Sequence, residues 1–442
     1  MTQELALHLM KSGRNVFLTG APGTGKTHVL KQYISYLREH SIPFAVTAPT
    51  GIAASHIGGT TIHSYFGIGL KDSLTQYDIE ALTEKKYLWD RMAKLKVLII
   101  DEVSMLSPSL FRSIDALLRT FKFSMEPFGG VQLVLVGDFF QLPPIQKNRE
   151  GEKFIFQTEV WNQSNLAVCS LEHSYRHEGD KLFHILSSIR NGVFGEKEQM
   201  LLRERMRPLE EEGEIGTRLY THNIDVDRIN EEMLTKLMTP PQLYEASGKG
   251  TKRWREKIFQ TSLLSEKLFL KKDALVLFIK NNFEKGYSNG TLGKVVDFEE
   301  GFPVVKTREG REIIVRTETW EHRDSEGKVL ATVNQIPLRL AWAITVHKSQ
   351  GMTLDAAEID LRKTFAPGQG YVALSRLRSL SGLYLRGVNR MAFAVDEDAR
   401  EYERRIVEES KQYHASFIQL DDKEKEEMYR TFREQVAKKK RV

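Results

Sequence analysis

The chain contains one cysteine, Cys169, among 442 residues. A single thiol excludes an internal disulfide framework and fits a reducing compartment. Its simplest role is that of a small buried hydrophobe. No apolar run is long enough to span a bilayer, and no charged-then-apolar leader opens the chain. The expectation is therefore a cytoplasmic protein, or a nuclear one if its source is eukaryotic, with no membrane partner. Internal repeats and low-complexity tracts are absent as well. The charge balance is only mildly one-sided, at +5 with a pI near 8.9, and does not by itself demand nucleic acid. Its distribution says more, because Lys249 to Asp273 hold eight Lys/Arg against three Asp/Glu. A polyanion would meet that segment first; a solvated surface loop is an equal reading of the charge alone.

What is present begins with length. The chain is too long for one compact core, so two or more domains are expected. "NVFLTG" (15–20), "FAVTAP" (44–49), "VLIID" (97–101) and "VQLVLVGD" (131–138) read as strands. They are nearly continuous in apolar residues, as strands buried on both faces of a parallel sheet are. "SLFRSIDALLR" (109–119) sets Leu110, Phe111, Ile114, Leu117 and Leu118 on one helical stripe. The alternation predicts a doubly wound α/β domain over about 1–160. A second α/β domain is expected over 161–235 and 335–395, starting near "LAVCSLEHSYR" (166–176). Short strands broken by Gly, Asn and charged turns predict an all-β insertion over 236–334. The last segment, 396–442, reads as charged helices with a narrow apolar seam of Met428, Tyr429, Phe432 and Val436.

"GAPGTGKT" (20–27) has the spacing of a phosphate loop, and it follows a predicted strand and opens a predicted helix. Gly20, Ala21, Pro22, Gly23, Thr24 and Gly25 would turn backbone N–H groups toward phosphate oxygens at a helix N-terminus. Lys26 would reach the β- and γ-phosphates and Thr27 would hold Mg²⁺. "VLIIDE" (97–102) supplies Asp101 for the metal and Glu102 to orient or deprotonate a water. "VGDFFQLPP" (136–144) ends a strand with Gln141, a candidate sensor of the γ-phosphate. ATP hydrolysis with Mg²⁺ is therefore expected. A phosphate loop alone leaves a kinase, a GTPase, a switch and a motor open.

Further motifs follow in order: "APTGIAASHIGGTTIHSYFG" (48–67), "IIDEVSMLSPSLFRSIDALLR" (99–119), "LEHSYRH" (171–177), "NQIPLRLAWAITVHKSQGMTL" (334–354) and "GYVALSR" (370–376). As a set they resemble the petite-integration-frequency family of superfamily 1B DNA helicases, relatives of RecD. The stretch from Val103 to Arg119 resembles that family's own signature. The resemblance implies two RecA-like cores in tandem with ATP bound between them, an SH3-like insertion in the second core, and a helical C-terminal tail. It also implies arginine fingers at Arg176 and Arg376, and an adenine-reading role for Gln3. His177 departs from the Gln common in the family.

The same resemblance assigns "AWAITVHKSQG" to coupling ATP with the DNA track. Thr345, His347, Lys348 and Ser349 would meet phosphates, with Gln350 and Gly351 at the nucleotide-facing end. On the first core the DNA-facing set would be Pro49, Thr50, Gly51, His63 and Phe66. Phe66 or Tyr65 would stack on a base or pack in the core, the two readings standing about even. A strand-separating wedge is expected over about 64–96. The implied activity is a 5′ to 3′ ATP-dependent DNA helicase acting as a monomer on single-stranded and tailed duplex DNA, with G-quadruplex DNA and RNA–DNA hybrids as further candidates. A translocase that strips proteins without unwinding, and a nucleotide-gated binding switch, are the alternatives. Lys438 to Arg441 read as a nuclear import signal or a solvated terminus.

Overall fold

The computed structural model describes all residues except 70, 142, 145–150, 174–179, 208–215, 221–225, 283, 324–328, 347–348, 350–351 and 439–442. For 52, 55, 56, 260, 261, 323 and 438 it describes the backbone alone. Two compact units emerge, Met1–Arg176 with Asp396–Val442, and His177–Val395. No helix among the described residues is long and apolar enough to cross a membrane.

The first unit is built on a six-stranded parallel sheet. Its strands are β1 (Val16–Gly20), β2 (Phe44–Ala48), β3 (Thr60–Thr61), β4 (Val97–Ile100), β5 (Gln132–Val136) and β6 (Ala167–Leu171), in spatial order β3-β2-β4-β5-β1-β6. Every residue of β1, β4, β5 and β6 is buried, which is why they read as continuous apolar runs. Strand alternation divides them between two cores. Phe17, Leu98, Ile100, Leu133 and Leu135 face one side. Val16, Leu18, Ile99, Val134 and Val136 face the other.

The helix Pro108–Lys122 covers the first of these faces. Ser107 starts it by accepting from the N–H of Leu110, and Pro108 occupies the first turn, where no N–H is needed. Leu110, Phe111, Ile114, Leu117 and Leu118 are buried as the periodicity predicts. Asp115 near its middle accepts from the N–H of Phe128 and pairs with Arg119.

One sequence expectation fails here. "LAVCSL" does not open the second domain: β6 pairs along its length with β1. The pairing removes β1 from the sheet edge, where its bare N–H and C=O groups would otherwise lie. The helices expected over 396–442 pack on this same unit. Tyr402 and Ile406 of the helix Glu397–Ile418 enter the core that holds Phe17. The Tyr402 ring stacks on Phe156 at 4.1 Å. Ser410 Oγ accepts from the N–H of Ser170, so this helix covers the edge that β6 presents. Phe417 and, from the helix Asp422–Lys438, Phe432 enter the opposite core.

The second unit has a parallel sheet of β7 (Thr217–Tyr220), β18 (Ala343–Thr345), β19 (Ala357–Leu361) and β20 (Leu383–Val388), in order β18-β7-β19-β20. Between β7 and β18 the chain runs through antiparallel strands. They are β8 (Gln242–Glu245), β9 (Ser247–Gly250), β10 (Lys267–Leu270), β11 (Leu275–Phe278), β12 (Leu292–Glu299), β13 (Phe302–Thr307), β14 (Glu312–Ile314), β15 (Glu318–Arg323), β16 (Val329–Gln335) and β17 (Leu338–Leu340). They form a five-stranded sheet β14-β13-β12-β11-β17, a three-stranded sheet β15-β16-β9 and a pair β10-β8. Both units thus carry a parallel-sheet α/β core of the RecA-like kind.

Candidate nucleotide and DNA site

The phosphate loop leaves the carboxyl end of β1 and enters the helix Lys26–Glu39. Gly23 and Gly25 hold φ of 84° and 88°, a region that disfavours side chains bearing a Cβ. A Cβ on Gly25 would in addition collide with the amide of Gln3. That amide donates to Thr24 O at 2.9 Å, so Gln3 lies over the loop rather than standing free. Thr24 is buried and donates back to Ala21 O at 2.8 Å. Lys26 Nζ donates to the carbonyls of Gly20 and Ala21 at 2.7 and 3.1 Å. Pro22 is buried in the loop, whereas Thr27 faces solvent in the first helical turn.

Asp101 and Glu102 follow β4, two strands away from β1 with β5 between. Asp101 is fixed by its own N–H, which donates to Thr47 O at 2.9 Å. Burial and the charge of Glu102 push its carboxyl up to about 7, against the hydrogen bond from the N–H of Glu102 and the pull of Lys26. Glu102 adopts φ 52° and ψ 45°, left-handed backbone that a non-glycine residue enters at a cost. Nothing in the residue pattern signals that strain.

Gln141 is buried beyond β5, and its Oε1 has no hydrogen-bond partner among the described residues. Its N–H donates to Asp138 O, while Asp138 Oδ1 accepts from the N–H of Phe140. Sequence reasoning passed over Asp138, though an Asp bonded to a backbone two residues on is a recognisable turn.

The donor set suits a small hard cation. Thr27 offers a hydroxyl and Asp101 a carboxylate whose charge is poorly compensated by the protein alone. Mg²⁺ takes such oxygen ligands and completes its shell with water and phosphate.

The DNA-facing candidates divide. Pro49, Thr50 and Gly51 follow β2, and Thr50 Oγ1 accepts from the N–H of Ala53 to cap the short helix Gly51–His56. All three are partly exposed. His63 is half-buried, and burial lowers its pKa below the ordinary imidazole value. Phe66 is a correction: it is fully buried in the core with Ile62, Leu88 and Met92 and presents no face for stacking. Its neighbour Tyr65 is partly buried, with the Arg91 guanidinium 5.3 Å from its ring.

In the second unit, Thr345 ends β18 and is buried. Ser349 is a second correction. It is fully buried and its hydroxyl donates to Val346 O at 2.8 Å, a bond inside its own turn that leaves no donor for a phosphate. Arg376 closes the helix Gln369–Ser375; it is buried, with Nε donating to Val372 O and Nη2 to Ser375 Oγ. Arg176, His177, His347, Lys348, Gln350 and Gly351 lie outside the described residues, as does the basic tail beyond Lys438. Asp355, four residues beyond Gly351, carries no motif that would single it out. It accepts from the N–H of Leu292 and pairs with Arg378 at 3.1 Å, joining the β insertion to the parallel sheet.

Comparison with known proteins identifies the family. The PIF1-like helicase family model matches residues 3–193. An ATP-dependent DNA helicase Pif1 of Psychrobacter sp. (strain PRwf-1) is 39% identical, with the alignment covering 98% of this chain and 74% of that one. The crystal structure of Bacteroides sp Pif1 in complex with ADP-AlF4 is 33% identical and superposes with a TM-score of 0.79, over 92% of this chain and 96% of that one. Bacteroides Pif1 bound to ssDNA is likewise 33% identical, with a TM-score of 0.60 over 91% of this chain and 96% of that one. A relative this similar over this much of both lengths settles descent, and the chain belongs to the PIF1-like helicase family.

Proposed function

We propose that this chain is an ATP-dependent DNA helicase that moves 5′ to 3′ on single-stranded DNA and opens tailed duplexes. The observation that supports the reading is that Lys26, the Asp101–Glu102 pair and Gln141 each follow the carboxyl end of one of the adjacent parallel strands β1, β4 and β5, with the Lys26 charge acting on Asp101. That rim is where an α/β sheet binds its ligand. The named relatives, one a DNA helicase and one bound to ssDNA, support DNA as the track.

Lys26 exchanges the carbonyls of Gly20 and Ala21 for phosphate oxygens. The loop amides cradle the remaining phosphate charge. Glu102 orients the attacking water and takes its proton. Gln141 accepts from that water through its unmatched Oε1, and its amide N–H is the group that can donate to the terminal phosphate. When bound, Mg²⁺ neutralises charge on the β- and γ-phosphate oxygens, and Thr27 and Asp101 would hold it. Arg376 and Arg176 are assigned by their motifs to the charge that develops on the transferring phosphoryl group. Gln3, already resting on the loop, reads the base. Pro49, Thr50, Gly51 and Thr345, with His347 and Lys348, contact the strand through its phosphates, as a sequence-indifferent motor requires.

The wedge role is assigned to residues 64–96, and the SH3-like role to the β insertion. One chain carries every residue named, which supports a monomer as the working unit. The single thiol supports a reducing compartment, the cytoplasm or a eukaryotic nucleus.

The test is ATP-dependent strand separation on 5′-tailed, 3′-tailed and blunt duplexes, with a G-quadruplex substrate alongside. Opening of the 5′-tailed substrate alone is expected. Opening of the 3′-tailed substrate alone overturns the polarity. DNA-stimulated hydrolysis without any opening identifies a translocase.

A further inference from the structure

The helix Lys252–Thr261 lies in the β insertion, remote in sequence from every motif assigned above, and has a core of its own. Ile258, Leu264, Ala331 and Val333 form that core, with Trp254, Phe259 and Trp320 packed against it. The helix rests on the three-stranded sheet β15-β16-β9. Strand β9 hugs its neighbour, since a Cβ on Gly248 would collide with Thr332 O. Strand alternation turns Trp320 and His322 toward the helix and Glu321 to the opposite face.

The outward side is strongly basic. Lys249, Lys252 and Arg253 are exposed and Lys257 is half-buried, whereas Arg255 buries its Nε and does not belong to this face. Glu256 is the one carboxylate on the helix, and it meets Lys252 only at 3.9 Å. Glu318 of β15 is engaged elsewhere, by Lys280, Lys285, Asn282 and Tyr287.

Trp254 offers no platform for a base. His322 stacks on it at 4.9 Å with 24° between planes, and the Arg253 guanidinium and Lys257 ammonium each lie 5.3 Å from the ring. These contacts pin the cations instead of displaying the aromatic. A site for a flexible single strand combines a charged groove with aromatic platforms for the bases, and this face offers the charge without a platform. A duplex presents phosphates in fixed positions, which cations fixed on one helical turn can meet without further ordering.

We propose that this face grips the phosphate backbone of duplex DNA, as a contact separate from the single-strand track. The proposal rests on the helicase reading, because only then does a duplex lie beside the chain. Sequence preference is not expected, since no side chain here is placed to read a base edge.

The experiment compares a labelled blunt duplex with labelled oligo(dT) of equal length, by fluorescence anisotropy over a series of NaCl concentrations. Lys252→Ala with Arg253→Ala should weaken duplex binding about tenfold at moderate salt and reduce the slope of log K against log salt by roughly 1.8, the share of two phosphates. Glu256→Gln should tighten duplex binding and steepen the slope, a gain that misfolding cannot mimic. Oligo(dT) affinity and oligo(dT)-stimulated ATPase should be unchanged in both. Equal losses on the two substrates, an unchanged duplex slope, or no gain from Glu256→Gln overturns the proposal. Wild-type ATPase that ignores oligo(dT) would instead overturn the helicase reading, which duplex binding does not measure.

Discussion

Gly13 and Phe432 stand far apart in sequence and share one contact. Gly13 lies just after the helix Gln3–Lys11, with φ of 80°. A Cβ there would fall on the Phe432 ring, which is nine-tenths buried in the core shared with Leu5, Leu9 and Met10. Gly13→Ala therefore brings two penalties: about 1–2 kcal/mol for left-handed backbone and about 1–3 kcal/mol for overpacking. Phe432→Ala removes a buried ring and leaves a void, at about 3 kcal/mol. In the double variant the new methyl enters space the ring has vacated, so the clash disappears. The singles should sum to more than the double by about 1–3 kcal/mol, a coupling larger than distant sites show. Urea unfolding of the full chain measures the three losses. Hydrogen exchange of peptides from the chain's first fifteen and last twenty residues assigns them to this contact. Additive losses, or protection in the C-terminal helix unchanged by Gly13→Ala, would falsify the packing of the chain end on the N-terminal helix. Both single variants should also raise the KM for ATP, because the same helix carries Gln3 onto the phosphate loop.

Glu102→Gly relieves left-handed strain and should raise stability by about 1 kcal/mol while lowering kcat by about 10²–10⁴; a thermal melt that falls, or turnover that survives, contradicts the assignment. Glu318 is pushed up by partial burial, yet hydrogen bonds from Asn282, Lys285 and Tyr287 and the charge of Lys280 hold its carboxyl at about 2. A depressed carboxylate stabilises the fold above its unfolded value of 4.5 and loses that contribution as pH falls toward 2. Glu318→Gln should cost about 1–2 kcal/mol at neutral pH, allowing for solvent access, and almost nothing near the acid limit; a constant cost across a pH series of melts refutes this. Ser349→Ala loses one buried hydrogen bond and should cost about 1 kcal/mol while oligo(dT) affinity is unchanged. A selective loss of oligo(dT) binding would restore the serine to the DNA track.

The parts of the site that were legible in the sequence are those whose chemistry is local. Eight residues, a preceding strand and a following helix suffice to make the phosphate loop, and Lys26, Thr27 and Gly25 stand where that spacing puts them. Phe66 was legible too, with a different weighting. The short helix Ile62–Phe66 brings residues four apart onto one face, and Ile62 is buried beside Phe66. That spacing favours the core over a base. Ser349 was misjudged because a hydroxyl in a polar run looks available until its own turn supplies an acceptor. The left-handed Glu102 has no sequence signal at all, since glutamate is not a residue that favours that backbone.

The illegible part of the fold has a common cause. Strand β6 and the two C-terminal helices are placed by contacts spanning most of the chain, and no local pattern encodes a distant partner. The seam of Met428, Tyr429, Phe432 and Val436 announces that the last helix must bury one face, but not against what. The helix Gln3–Lys11 supplies the answer, since Phe432 joins the core of Leu5, Leu9 and Met10. The sheet's outer strand β6 is covered instead by the helix Glu397–Ile418, where Ser410 meets the N–H of Ser170. On the same flank, the Lys11 ammonium lies near the rings of Tyr36 and Tyr429, and His8 stacks on Tyr429 at 6.0 Å. The helix Gln3–Lys11 is thus held between the phosphate-loop helix and the end of the chain. The loop that Gln3 covers needs a fixed frame to hold that contact. Here the frame is assembled from both chain termini, so the region farthest in sequence from the chemistry bears directly on how firmly Gln3 holds Thr24.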